Sequence, residues 1–293
     1  MVIVTYHPEM NILTKVIESM FEQVRKIYIV DNTPGKAKEL EQFRNEKVEI
    51  IYLGKNKGIA YAQNIGIKKS LEDNSDYIVL SDQDTIYPKN YIKKMLNDLN
   101  LYPEKDKVVA IAPMYFDNTK NKRNFMMRFN SFGFETKFYP DSGIHQISCA
   151  IASGLIIFSA NFLKVGFMNE DLFIDFVDTE WCWRAIKKGY QIIGNANILI
   201  SHKLGDKIKK IGPIKFITRS PIRYYYITRN SFYLATKSNF CLNRFHRISI
   251  FLKSIKYFFV YAFLGGSFKS FKYTLLGFWH GIIGKMGKLN EEP

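Results

Sequence analysis

The chain has 293 residues, with 42 Lys/Arg against 27 Asp/Glu and a formal net charge of +15. Hydrophobic residues make up 47% and aromatics 15%, enough for a substantial core, which excludes a disordered or low-complexity protein. The charge is uneven: residues 201–293 hold 17 basic and 3 acidic side chains, so a nearly neutral body carries a basic end that should meet something anionic.

In chain order, residues 2–5 form a short apolar run, and Pro8 opens a helical pattern to about residue 23. Residues 27–30 read as a second strand, ended by Asp31-Asn32-Thr33-Pro34-Gly35, and residues 48–53 as a third. Lys57-Gly58 precedes a helix to about residue 71, and residues 77–80 form a fourth strand. A polar loop follows over 81–85, then a helix with Pro88 in its first turn and a fifth strand at 108–112. This alternation predicts an α/β fold with a parallel, doubly wound sheet. Such sheets bind ligands beyond the carboxyl ends of their strands, so the loops after Thr5, Val30, Leu53 and Leu80 should line the site.

Residues 115–157 are aromatic and irregular, suited to loops and short strands. A helix is expected over 178–188, stopped by Gly189, and a strand over 192–200. From residue 218 onward Arg, Lys, Tyr and Phe dominate at helical spacing. Ile248, Phe251, Leu252, Ile255, Phe259 and Ala262 share one helix face, while Lys253 and Lys256 fall elsewhere. The expected division is a catalytic domain over 1–217, with halves at 1–112 and 113–217, and a basic helical extension over 218–293. The apolar windows at 257–268 and 273–284 fall short of the roughly 20 residues that a membrane span needs. The uncharged stretch 142–163 reads as buried strands. The N-terminus lacks a secretory-signal pattern. Cys149, Cys182 and Cys241 show no zinc or redox spacing, as expected of buried thiols in a reducing compartment.

Four features carry chemistry. First, the apolar strand at 77–80 runs into Asp82-Gln83-Asp84, two carboxylates at i and i+2 that suit a hard divalent cation, or else a solvated acidic turn. Second, Asp31-Asn32 follows the second strand. Asp31 could accept a hydrogen bond from the imide N–H of a uracil or thymine ring, or build an Asx turn. Third, Asn56-Lys57-Gly58 leads into Gln63-Asn64 and Gly66 on a helix whose N-terminus suits phosphate, or is simply capped. Fourth, Asp178 stands at a helix start, with Glu180 and Arg184 paired at i and i+4. It is either a general base or a helix cap.

In this order the four features resemble the inverting glycosyltransferases of family 2, which have the GT-A fold. The resemblance covers residues 1–200. It implies that Thr5 and His7, in Val4-Thr5-Tyr6-His7-Pro8, lie in the nucleotide-binding loop, and that Asp31 reads the base. Asn56, Gly58, Asn64 and Asp82 would join the nucleotide site. Asp82 and Asp84 would hold Mn2+ or Mg2+, and Asp178 would act as the base. Val177 stands where many members have Glu or Asp, and Gln63 where many have Arg. Several strings are similar to the bacterial rhamnosyltransferase branch, among them Gly58-Ile-Ala-Tyr-Ala-Gln-Asn-Ile-Gly, Leu80-Ser-Asp-Gln-Asp-Thr and Ser220-Pro-Ile-Arg-Tyr-Tyr-Tyr-Ile-Thr-Arg-Asn. The last extends the resemblance to Asn230, with Arg219 where that branch often has His. The branch implies a dTDP-L-rhamnose donor, with a UDP-hexose as the alternative, and a lipid-linked bacterial surface glycan as acceptor. His202 would lie near the diphosphate as a metal or phosphate contact, or be a partly buried strand-end residue. Ser153, Gly154, Glu180, Trp181, Arg184, Arg223 and Arg229 are the candidates for the acceptor or its phosphate.

Two rivals remain. A nucleotidyltransferase would normally show a Gly-rich basic N-terminal loop, which residues 5–10 lack. A non-catalytic basic binding module would not need carboxylates clustered at strand ends. Nothing in the basic end matches a nucleic-acid motif, so nucleic acid is set aside. Amphipathic basic helices with many Phe, Tyr and Trp suit an anionic membrane surface. The expected location is therefore cytoplasmic, peripheral at the inner face of the membrane.

Overall fold

The computed structural model describes residues 1–117, 122–201, 207–211, 214–237 and 241–289. The first half follows the alternation read from the sequence. It runs β1 (Val2–Thr5), α1 (Met10–Phe21), β2 (Ile27–Asp31), β3 (Val48–Tyr52), α2 (Ile59–Glu72), β4 (Tyr77–Asp82), α3 (Tyr91–Asn100) and β5 (Val108–Asp117). Two expectations need adjustment. Asp82 is the last residue of β4 rather than part of the loop. Pro88 lies ahead of α3, which begins after a left-handed Asn90, so the proline precedes the helix instead of filling its first turn.

The irregular middle holds β6 (Lys122–Arg123), β7 (Met126–Phe129), β8 (Glu135–Phe138), β9 (Ile144–Ile147) and β10 (Leu155–Phe158). Then follow α4 (Ser159–Val165), α5 (Val177–Lys187), β11 (Gln191–Ser201), β12 (Lys207–Ile211) and β13 (Ile214–Thr218). The chain ends in α6 (Pro221–Thr236), α7 (Arg244–Leu264) and α8 (Phe268–Ile283).

The main sheet runs β3-β2-β1-β4-β10-β5-β11-β9. Strands β3, β2, β1 and β4 are mutually parallel, β10 enters antiparallel between β4 and β5, and β5 and β11 are again parallel. Strand alternation sends Val2 and Val4 to one face and Met1 and Ile3 to the other, and each face builds its own core. Helices α1 and α3 cover the Ile3 face, while α2, α4 and α5 cover the Val4 face. Thr5 pairs with Asp31, and Val4 with Asp82, so two acidic strand ends flank the end of β1.

The helices of the basic extension pack against the rest of the chain. Leu234 and Ala235 of α6 and Ile250 of α7 pack with Trp183 of α5, and Tyr224 and Ile227 pack against Phe176. Helix α8 lies against α6 through Gly277 and Gly281. A Cβ there would stand 2.5 Å from the Tyr225 carbonyl oxygen or 2.6 Å from that of Arg229. Within a helix, Gly→Ala normally stabilises by about 1 kcal/mol. At Gly277 the clash with a backbone atom reverses the sign: Gly277→Ala should destabilise the fold by about 1–3 kcal/mol in denaturant titration.

Candidate functional site

A cleft of about 600 Å³ opens beyond the carboxyl ends of β1, β2 and β4. Asp82, Gln83 and Asp84 line it together with Asp178 from the first turn of α5. Tyr6, Asn32, Asn56, Gly58 and Gln63 line the nucleotide side expected from the sequence, and residues 173–179 with Arg219 and Arg223 form the opposite wall.

Two consecutive residues ahead of β10 hold the acids. The Ala152 N–H donates to Asp178 Oδ2 at 3.0 Å, and the Ser153 hydroxyl donates to Asp82 Oδ2. Gly154, at φ +82°, then turns the chain into β10, and a Cβ there would meet the Tyr91 hydroxyl at 2.9 Å. Ser153 and Gly154 therefore sit under the acids and support them, with Ser153 fully buried. Burial, with the Asp82 charge second, pushes Asp178 up to about 7. This places its titration near neutral pH, where a general base works best. Asp82 and Asp84 fit a hard cation that completes its shell with phosphate oxygens. The uncompensated Asp82 charge felt by Asp178 is what such an ion would neutralise. Among the described residues, no three His, Cys, Asp or Glu side chains could cage a metal by themselves. His202 lies outside the described residues.

The nucleotide loop is tied from both sides. Gln83 clamps it, because the Tyr6 N–H donates to Gln83 Oε1 at 2.8 Å and Gln83 Nε2 donates back to the Tyr6 carbonyl. His7, at φ +46°, donates its N–H to Thr33 Oγ1, and its ring stays outside the cleft lining. Asp31 is fully buried and accepts from the Thr5 hydroxyl and from the N–H groups of Thr33 and Ala37. Its Asx-turn role is therefore realised, and Asn32 and Tyr6 rather than Asp31 line the cleft. The α2 N-terminus is also occupied from within. The N–H groups of Lys57, Gly58 and Ile59 donate to Asn32 Oδ1, Asn56 Oδ1 and the Phe173 carbonyl.

Several expected residues stand elsewhere. Asn64 is buried and ties α2 to Met168 and Glu170. Trp181 is buried and donates to the Gly166 carbonyl. Arg184 grips Glu180 at 2.7 Å and reaches the Val165 and Phe167 carbonyls, which fixes α5 from the side away from the cleft. Arg229 corrects a further expectation. It is fully buried, and its guanidinium donates to Asn230 Oδ1 and to the carbonyls of Gly287, Asp171 and Leu172, so it supports the loop before α5 instead of waiting for a phosphate. Arg223 does reach the cleft, paired with Asp175 through two bonds at 2.6 and 2.7 Å. Sequence reading missed Gln83 and Asn230, because an amide's value depends on which loose backbone it meets.

Residues 1–156 match the model of Glycosyl transferase family 2. The chain belongs to that family. It is 36% identical over 240 residues to the dTDP-rhamnosyl transferase RfbF of Shigella flexneri, an alignment that spans 81% of this chain and 80% of that one. Among solved structures, S. aureus TarS 1–349 in complex with UDP-GlcNAc superposes with a TM-score of 0.59 at 13% identity, over 96% of this chain and 80% of that one. GalNAc-T7 with UDP, GalNAc and Mn2+ gives 0.58 at 12% identity, and this chain spans 55% of its length. The likeness to these structures establishes the GT-A fold, and family membership makes the chain a glycosyltransferase.

The raised Asp178 has a consequence for stability. Its folded pKa lies above the unfolded value near 4, so ionising it destabilises the fold. This cost is absent below about pH 4, grows from pH 4 to 7 and is complete above 7. In metal-free buffer at pH 8, Asp178→Asn should be more stable than the parent by about 1–3 kcal/mol, with the advantage gone by pH 4. Thermal melts of both proteins at the two pH values check this.

Proposed function

We propose that the cleft transfers L-rhamnose from dTDP-L-rhamnose, with inversion, to a hydroxyl of a lipid-linked bacterial surface glycan. The observation that carries the reading is the meeting of Asp82, Asp84 and Asp178 around one cleft at the strand ends, with Asp178 pushed up to about 7. The likeness to a dTDP-rhamnosyl transferase supports the choice of donor.

Asp178 accepts the proton of the acceptor hydroxyl as that oxygen bonds to the anomeric carbon. The bond to the diphosphate breaks on the opposite face, and its electron pair leaves with the nucleotide. The Ala152 N–H holds the Asp178 carboxylate in place for this step. Tyr6 and Asn56 line the cleft on the side where the base and ribose would sit, and Asn32 holds Asn56 in place. Bound at Asp82 and Asp84, a Mn2+ or Mg2+ ion supplies charge neutralisation for the departing diphosphate. The acidic cluster also separates this reading from a basic binding module.

The extension supports a location at the membrane surface. Among the described residues no helix is long and apolar enough to cross a bilayer. Helices α7 and α8 nevertheless expose Phe251, Leu252, Phe259, Phe263, Phe268 and Trp279. The stripe read from the sequence is thus turned largely outward, while His246, Ser249 and Ser254 face inward. Exposed aromatics beside Lys269 and Lys272 fit a shallow seat in an anionic leaflet.

Asp178→Asn should lower transfer by about 10²–10⁴-fold while dTDP binding is unchanged, and excess EDTA should abolish transfer. A screen of nucleotide sugars with Mn2+ should favour dTDP-rhamnose; preference for a UDP-hexose would overturn the donor assignment. Phe259→Asp with Phe263→Asp should release the protein from vesicles rich in phosphatidylglycerol without lowering its melting temperature.

A further inference from the structure

A second compartment, of about 490 Å³, adjoins the first. The two share Asp175, Phe176, Thr179 and Arg219, so the second begins one residue from Asp178, on the side away from the nucleotide. Its far wall is α7, which contributes Lys256, Tyr257, Val260 and Tyr261 at helical spacing. Lys137 of β8 completes it.

The juxtaposition is built. Glu135, nearly buried, accepts from Trp183 Nε1 at 3.0 Å and from Lys253 Nζ at 3.0 Å. This bond pins β8 to α7. Residue 137 shares a strand face with 135, and residue 256 lies one helical turn beyond 253, so one ion pair, buried on its Glu135 side, brings Lys137 and Lys256 to the same cavity. Arg219 adds a third cation. Among the described residues, the one acid in the lining, Asp175, is already gripped by Arg223. Three cations in the lining of one cavity favour an anion there. Beside them, Tyr257 stacks on Tyr261 at 5.8 Å with rings 3° from parallel, and Tyr261 stacks on Tyr224 at 4.3 Å. The aromatic wall is therefore rigid, as a surface for a sugar ring should be.

We propose that this compartment is the acceptor site and that it takes an anionic glycan, with a sugar ring against Tyr257 and a phosphate or carboxylate among Lys137, Lys256 and Arg219. This rests on the sugar-transfer reading above and assigns the acceptor's chemistry, which that reading leaves open. It also gives the basic extension a second role, as one wall of the reaction chamber.

The test uses the full chain loaded with dTDP and Mn2+. Citronellyl diphosphate, methyl β-glucuronide and neutral methyl β-glucoside are titrated by calorimetry. At least one anionic probe should bind about tenfold tighter than the glucoside, and Lys256→Glu should weaken it by about tenfold or more while dTDP affinity stays unchanged. Tyr257→Ala should weaken the glucuronide and the glucoside together. Binding of the diphosphate alone assigns the anion to a lipid phosphate, and binding of the glucuronide alone to an acidic sugar; either supports the site. If neither anion binds above the glucoside, or if Lys256→Glu and the milder Lys256→Gln both leave binding intact, the proposal is overturned. A protein that binds the anion yet hydrolyses no nucleotide sugar keeps this site and contradicts the transfer reading instead.

Discussion

Two backbone carbonyls in front of α5, those of Ile174 and Asp175, would lose their partner if α6 were absent, and two more, those of Asp171 and Leu172, would lose part of theirs. Asn230 donates to those of Leu172, Ile174 and Asp175, and Arg229 to those of Asp171 and Leu172. The same loop holds Phe173, Asp175 and Phe176 at φ between +63° and +65°, a region that costs L-residues about 1–2 kcal/mol each. On its other side the Phe173 carbonyl accepts from Ile59, and Gly58 must lack a Cβ to let it approach. This strained loop leads Asp178 into the cleft and forms the wall opposite Tyr6, Asn32 and Asn56. The basic extension holds it in place, so the part of the chain expected at a membrane surface is also a structural support of the cleft.

The acids are held with equal economy. Ala152 and Ser153 supply a backbone N–H to Asp178 and a hydroxyl to Asp82, and this pairing keeps two carboxylates near each other in a cleft that disfavours their charge. Burial first, and the nearby Asp82 charge second, give the folded protein a raised proton affinity at Asp178. That cost of charge is useful only if proton abstraction and cation binding relieve it, which is how strain at a site comes to coincide with chemistry.

Much of the nucleotide half was legible in the sequence. Strand–helix alternation, turn residues and carboxylates at strand ends are local signals, and β1 to β4 with α1 and α2 came out close to their expected bounds. Asp82, Asp84 and Asp178 could be read because an acid ending an apolar strand or starting a helix is locally unusual. What could not be read depends on contacts distant in sequence. Arg229 looks like any basic helix residue until the loop at 171–175 folds against it. Asp31 and Asn64 carry family motifs, yet their polar atoms are taken up by neighbouring chain. The apolar stripe of α7 was correctly located, but its direction depends on whether Lys253 finds the buried Glu135, and it does.

That inversion gives the charge asymmetry a physical sense. One face of α7 presents phenylalanines outward, the opposite face carries Lys253 to Glu135, and Lys256 beside it lines a chamber next to Asp178. The whole account depends on one chemical event, a direct displacement at the anomeric carbon assisted by Asp178. The most direct measurement is the anomeric configuration of the first product formed from dTDP-L-rhamnose, read by proton NMR before any equilibration. Opposite configuration in donor and product is the result predicted for a single displacement. Retained configuration would require a second nucleophile in the cleft and would contradict the account.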